Sequence, residues 1–185
     1  MDGGVGFHFL RFLKENMKST KVLAFILAMM LILGGCGKKQ AYSKDGKYQI
    51  DLPSGWRNME GELAEAANLE IGSEKKNRYL FALTEKREYY NTFEEFSAVV
   101  LYYMQSILEE PAARATEYRE LGRGKATMTE LMGKMDGQTV CCVVYAAEFE
   151  EDYVMLLAWT EYSDFDSKCE AELQAACESF KIKEK

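Results

Sequence analysis

The sequence predicts an α+β domain, a mainly antiparallel sheet with helices packed on it. Three observations carry that prediction. Residues 138–149 and 153–162 are apolar at both parities, as in strands covered on both faces. Tight turns join the later strands, above all Asp136-Gly137, whose tolerance of positive φ suits a two-residue hairpin. Two segments instead carry apolar residues at helical spacing, each preceded by a capping residue. Hairpin-linked strands with segregated helices indicate α+β rather than a parallel α/β sheet.

Taken in order, residues 47–52 alternate, with Tyr48, Ile50 and Leu52 on one face and Lys47, Gln49 and Asp51 on a wet face. Pro53-Ser54-Gly55 turns the chain and Trp56 follows as a core anchor. Residues 59–67 fit either a short helix or a loop. Residues 68–73 and 79–86 read as a hairpin around the polar residues 74–77. Thr92-Phe93-Glu94-Glu95 has the capping-box form, in which Thr92 caps an amide and Glu95 reaches back. Phe96, Val100, Tyr103 and Ile107 make the apolar stripe, flanked by Phe93, Val99 and Met104, and Pro111 stops the helix.

Residues 112–124 form a charged connection with a strand near 118–121, and residues 125–135 lead into the Asp136-Gly137 turn. Trp159 reads as a second core anchor. Ser163 or Asp164 caps a closing helix, whose stripe is Phe165, Cys169, Leu173, Cys177 and Phe180.

The N-terminal portion is of a different kind. Lys18 and Lys21 precede twelve uninterrupted apolar residues, 22–33, and then Leu33-Gly34-Gly35-Cys36. A helix of twelve residues rises about 18 Å, short of the roughly 30 Å hydrocarbon core, so the proportions are those of a removable signal. The stretch resembles a bacterial lipobox. That resemblance implies cleavage between Gly35 and Cys36 and a covalent lipid on the Cys36 thiol. The expected division is an extension upstream of the true start (residues 1–16, with translation from Met17), a signal (17–35), a lipidated cysteine and short tether (36–43), and one domain (44–185). The implied location is the outer face of a bacterial membrane, reached through the lipid anchor.

Composition excludes several function classes. After Cys36 there are 19 Lys plus Arg against 28 Asp plus Glu, a net charge of −9. Such a field repels nucleic acid and anionic lipid alike. The sole histidine is His8. The expected mature chain therefore lacks Ser-His-Asp and Cys-His pairs, imidazole metal ligands and the usual neutral-pH base. Ser54 has no base beside it, and Gly122-Arg123-Gly124-Lys125 lacks the full phosphate-loop pattern. No enzyme is expected.

Cys141 and Cys142 point to opposite faces if they lie in a strand. Cys169 and Cys177, eight apart on a helix, are about 12 Å apart along its axis, too far for a disulfide. Only a strand-to-helix bridge could form, and buried free thiols are the expectation. No Cys-x-x-Cys pair is present.

Two candidate sites remain. Glu148, Glu150, Glu151 and Asp152 cluster at one hairpin and could hold a hard cation. They lack the glycine-punctuated spacing of a calcium loop, so a solvated acidic turn is expected. Tyr89, Tyr90, Tyr102 and Tyr103 gather near the first helix. Tyr103 falls on the apolar stripe and is assigned to the core, whereas Tyr102 lies off it and is the partner-binding candidate.

Tyr48-Gln49-Ile50-Asp51-Leu52-Pro53-Ser54-Gly55-Trp56 resembles the opening strand and turn of the PsbP-like or Mog1-like α/β/α sandwich. Cys177-Glu178-Ser179-Phe180-Lys181 is similar to that group's closing helix and Ser-Phe. The resemblance covers roughly residues 42–183 and implies a binding, assembly or accessory role. It carries no catalytic residue. The expected activity is thus non-enzymatic binding of an envelope protein or ligand, with solute or cation binding through the acidic hairpin and tyrosines as the alternative.

Overall fold

The computed structural model describes residues 39–184. The signal stretch and Cys36, with the cleavage and lipidation assigned to them, lie outside the described residues. The folded unit begins at Lys39, and Gln40–Tyr42 already form β1. These residues, read from sequence as tether, are held by pairing with β2 (Tyr48–Asp51).

All strand pairings are antiparallel. A small sheet has the order β1-β2-β11, β11 being Lys181–Ile182. The large sheet contains β3 (Arg57–Asn58), β4 (Leu69–Ser73), β5 (Arg78–Lys86), β6 (Glu109–Ala113), β7 (Glu117–Leu121), β8 (Gly124–Met135), β9 (Gln138–Glu148) and β10 (Asp152–Glu161). Its order is β3-β4-β5-β10-β9-β8-β6, and β7 also pairs with β8. Asp136 and Gly137 take φ of 53° and 80° at the β8–β9 turn, the conformation that the Asp-Gly pair predicts. Residues 59–67 contain no helix and run as successive turns.

Period-two alternation assigns the two faces of the large sheet. Val143, Tyr145 and Ala147 of β9, with Val154, Leu156 and Ala158 of β10, form one core. It is completed by Tyr48 and Ile50 of the small sheet and by Cys169, Leu173 and Cys177 of α2 (Ser167–Glu178). Cys142, Val144 and Ala146, with Tyr153, Met155 and Leu157, form the other core beneath α1 (Phe93–Ile107). The layers are α1, the large sheet, then α2 beside the small sheet: the α+β sandwich expected from the sequence. Aromatic rings pin both cores, Tyr48 stacking on Phe180 at 4.9 Å and Phe96 on Tyr153 at 4.9 Å.

Several local expectations are corrected. Gln49 is buried rather than wet, because β2 is the central strand of its sheet. Trp159 is half-buried at the margin of its core, stacked on Tyr79 at 5.3 Å. The first helix ends at Ile107, before Pro111. Leu108 turns down onto β8 at Gly133, where an added Cβ would meet the Leu108 Cβ at 2.8 Å. Pro111 instead lies in edge strand β6, where a missing N–H is tolerated.

Capping also differs in detail. Thr92 accepts from the Glu95 amide at 3.1 Å, as predicted, but the Glu95 carboxylate reaches past Thr92 to the amide of Asn91 at 2.8 Å. Asp166 caps α2, accepting from the Cys169 amide at 2.7 Å, and Tyr162–Asp164 form a 3-10 turn ahead of it. Neither Ser163 nor Asp164 is the cap.

Candidate functional site

The acidic hairpin is occupied by the protein's own cations. The Asp152 side chain is 3% exposed. Its carboxylate accepts from Lys47, from Lys86 at 3.0 Å and from the Tyr48 hydroxyl at 2.9 Å. Burial raises the Asp152 pKa, but these hydrogen bonds outweigh it and hold the group below its ordinary range. Glu151 pairs with Lys47 at 2.8 Å, and Glu148 with Arg87 at 2.6 Å. Arg87 also donates to the carbonyl of Glu150 at 3.3 Å. The hairpin thus serves as a clamp between sheets: Lys47 precedes β2 and Tyr48 opens it, Lys86 ends β5 and Asp152 opens β10. Among the described residues no group of three His, Cys, Asp or Glu side chains has metal-binding geometry.

A second cluster was not visible in the sequence, because its members are scattered along it. Glu130 of β8 pairs with Arg114 and accepts from Gln174 of α2 at 3.0 Å. Arg114 also reaches Glu170 of α2 at 3.4 Å. Burial, then the neighbouring Glu170, raises the Glu130 pKa. The cluster borders a cleft of about 370 Å³ whose lining includes Met132, Cys141, Tyr162 and Phe165.

The outer face of α1 is the third candidate. Phe93, Phe96, Val100 and Met104 are buried against the large sheet. Tyr103 is not with them: it is 50% exposed, and Tyr102 is 74% exposed. The inward stripe runs through Met104 rather than Tyr103, a rotation of one position that leaves Tyr103 outside. Val99 and Ile107, one turn either side of Tyr103, are exposed as well. The result is a second apolar stripe, Val99-Tyr103-Ile107 with Tyr102 beside it, facing solvent. Glu94 and Glu95 lie at one end of this stripe and Glu109 and Glu110 at the other, all exposed, and α1 itself contains no Lys or Arg. Tyr89 stands exposed before the helix, while Tyr90 is partly buried against Phe96 at 5.1 Å.

An ordinary surface helix has one apolar stripe facing the core and a charged opposite face. Here α1 is apolar on both sides, and tyrosine, with an apolar ring and a polar tip, is suited to a wet protein interface.

No family model matches the chain, and no curated protein matches its sequence. Likeness appears at the level of fold. The solution structure of cyanobacterial PsbP from Synechocystis superposes with a TM-score of 0.60 at 11% identity, covering 81% of this chain and 96% of that one. LpqN of Mycobacterium tuberculosis, involved in cell envelope biogenesis, gives 0.56 at 10% identity over 80% and 91%. The Saccharomyces cerevisiae Ran-binding protein Mog1p gives 0.53 at 15% identity over 79% and 95%. The chain has the α+β fold of PsbP and Mog1, as the motifs at residues 48–56 and 177–181 implied.

Proposed function

We propose that the chain is a lipid-anchored accessory protein on the outer face of a bacterial membrane, which binds a basic-surfaced envelope protein through the outer face of α1. The observation that carries the binding role is the helix itself. Its solvent side presents Val99, Tyr102, Tyr103 and Ile107 contiguously between acidic ends. Self-association through this face is opposed by a net charge of −9 on each copy after Cys36. The same charge opposes docking on anionic lipid.

Anchoring rests on residues 17–37 of the sequence. Only Gly37 and Lys38 separate Cys36 from the folded unit, a reach of about 10 Å. A lipid on Cys36 would therefore keep the domain at the bilayer, and the partner would be sought there. The absence of histidine after His8 supports a non-catalytic role. Mog1p shows the fold in a Ran-binding protein, an analogy of architecture rather than of site.

Two measurements test the proposal separately. Labelled palmitate should be incorporated into the chain and lost in Cys36→Ser; labelling that persists in the variant overturns the anchoring. A photocrosslinking residue at position 102 should capture a discrete envelope protein in intact cells, while one at exposed Tyr118 should not. Equal yields from both positions would overturn the α1 interface.

A further inference from the structure

Cys141, Cys142, Cys169 and Cys177 are all buried and unpaired. Cys142 belongs to the core beneath α1, so Cys141, its neighbour in β9, points to the opposite face, toward α2. On that face the cross-strand partner of Cys141 is Thr160 of β10. Side chains of such pairs lie about 4.5–5.5 Å apart at Cβ. Cys169 of α2 belongs to the core on that face, and the adjacent Glu170 reaches Arg114 at 3.4 Å, a residue that lines one cleft with Cys141.

The spacing of the two elements gives an independent check. At the C-terminal end of α2, Glu178, next to Cys177, accepts from the Tyr145 hydroxyl of β9 at 3.1 Å. The eight residues from Cys169 to Cys177 rise about 12 Å along α2. The four residues from Cys141 to Tyr145 span about 13 Å along β9. These lengths match, so with the C-terminal end of α2 held at Tyr145 its first turn, and Cys169 with it, lies near Cys141. Cys177 faces a tyrosine and Cys142 faces away. One strand–helix pair of thiols remains, and the 370 Å³ cleft that opens to solvent is lined by Cys141 together with its neighbour Cys142.

We infer that Cys141 and Cys169 form a redox-active dithiol that closes into a disulfide between β9 and the first turn of α2. The oxidant is another disulfide. The Cys141 thiolate, reached through the cleft, attacks one of its sulfurs and expels the first thiolate. The Cys169 thiolate then attacks the Cys141 sulfur of the mixed disulfide and expels the second. Two protein thiols lose two electrons and two protons, and the oxidant disulfide gains them as two thiols. Burial, then the neighbouring Cys169, raises the Cys141 pKa against the opposing Arg114, so little thiolate exists at neutral pH and closure is slow there, quickening as pH rises. Closure staples α2 to the sheet. It does not depend on where the chain resides.

The test is incubation of the full chain, in detergent, with glutathione disulfide at pH 8.5, followed by alkylation and peptide mapping. Digestion with trypsin and Glu-C places Cys169 and Cys177 on separate peptides, and a Cys142→Ala chain distinguishes the two strand cysteines. The expected result is a Cys141–Cys169 link in both chains and a rise in Tm of about 5–10 °C, reversed by dithiothreitol. Alkylation of Cys141, Cys142, Cys169 and Cys177 alike, a link through Cys142 or Cys177, or glutathione mixed disulfides alone at these four positions would each overturn the inference.

Discussion

At the scale of single residues, exposure and charge environment separate positions that look alike in the sequence. Phe96 and Tyr102 are both aromatic residues of α1, but Phe96 is buried and stacked while Tyr102 is largely exposed. Phe96→Ala should cost about 3–5 kcal/mol in urea unfolding. Tyr102→Ala should stay within about 0.5 kcal/mol of the parent yet lose partner capture. A comparable loss of stability in both would place Tyr102 in the core. Glu130 offers a different kind of test. Burial and Glu170 raise its folded pKa, so the folded state holds the proton more tightly than the unfolded chain. Stability then falls as pH rises from the ordinary glutamate value, 4.5, through the folded value. Glu170→Gln removes the like charge and should flatten that fall between pH 4 and pH 7, read as urea midpoints. Parallel profiles for parent and variant would mean that Glu170 does not set the Glu130 pKa.

At the scale of elements, the places where the sequence was legible are those where one local force decides. The Asp136-Gly137 hairpin depends on backbone φ alone, and the doubly apolar β9 and β10 depend on burial alone. The α1 cap was legible for Thr92, whose hydroxyl takes the amide that the motif predicts. The elements that depart from the sequence expectation depend on contacts far away in the chain. Helix α1 ends at Ile107, earlier than Pro111, and Leu108 leaves it to lie against Gly133, a contact that residues 107–110 do not announce. Strand β6 contains a proline and five exposed residues, so neither periodicity nor propensity marks it. Helical spacing admits a stripe through Tyr103 as readily as one through Met104, because on a helix with apolar residues on two sides periodicity cannot choose. Gly124 makes the same point for close backbone approach: an added Cβ would lie 2.0 Å from the Glu148 carbonyl oxygen. Gly124→Ala should therefore displace the β8–β9 pairing and destabilise the domain by about 1–3 kcal/mol, despite a favourable change in intrinsic propensity. A variant as stable as the parent would show that this edge of the sheet is free to shift.

At the scale of the whole molecule, the question is what holds the small sheet to the large one besides apolar packing. Asp152 is the polar answer. It opens β10 of the large sheet and accepts from Lys47 and Tyr48 of the small-sheet hairpin and from Lys86 of β5. The acidic turn expected from sequence as a solvated feature is thus a junction. Only the partners, which lie 66–105 residues away, reveal this. Replacing the carboxylate by an amide removes the charge and one of the two oxygens that Lys47, Lys86 and the buried Tyr48 hydroxyl share, while Lys47 keeps only the exposed Glu151 as an ionic partner. Asp152→Asn should cost about 3 kcal/mol near pH 7, in the range for breaking one side of a buried ion pair. The pH dependence follows from the depressed folded pKa. The contribution of Asp152 is fully present above the unfolded value, near 3.8, and is lost as pH falls through the lower folded value. The difference between parent and Asp152→Asn should therefore be constant from about pH 5 to 7 and shrink in strong acid. Calcium should raise the melting temperature of neither chain, because the carboxylate oxygens are already taken by Lys47, Lys86 and Tyr48. A calcium-dependent rise in the parent that disappears in Asp152→Asn would show instead that a cation displaces the lysines, and would turn this junction into the cation site that the hairpin's four acids first suggested.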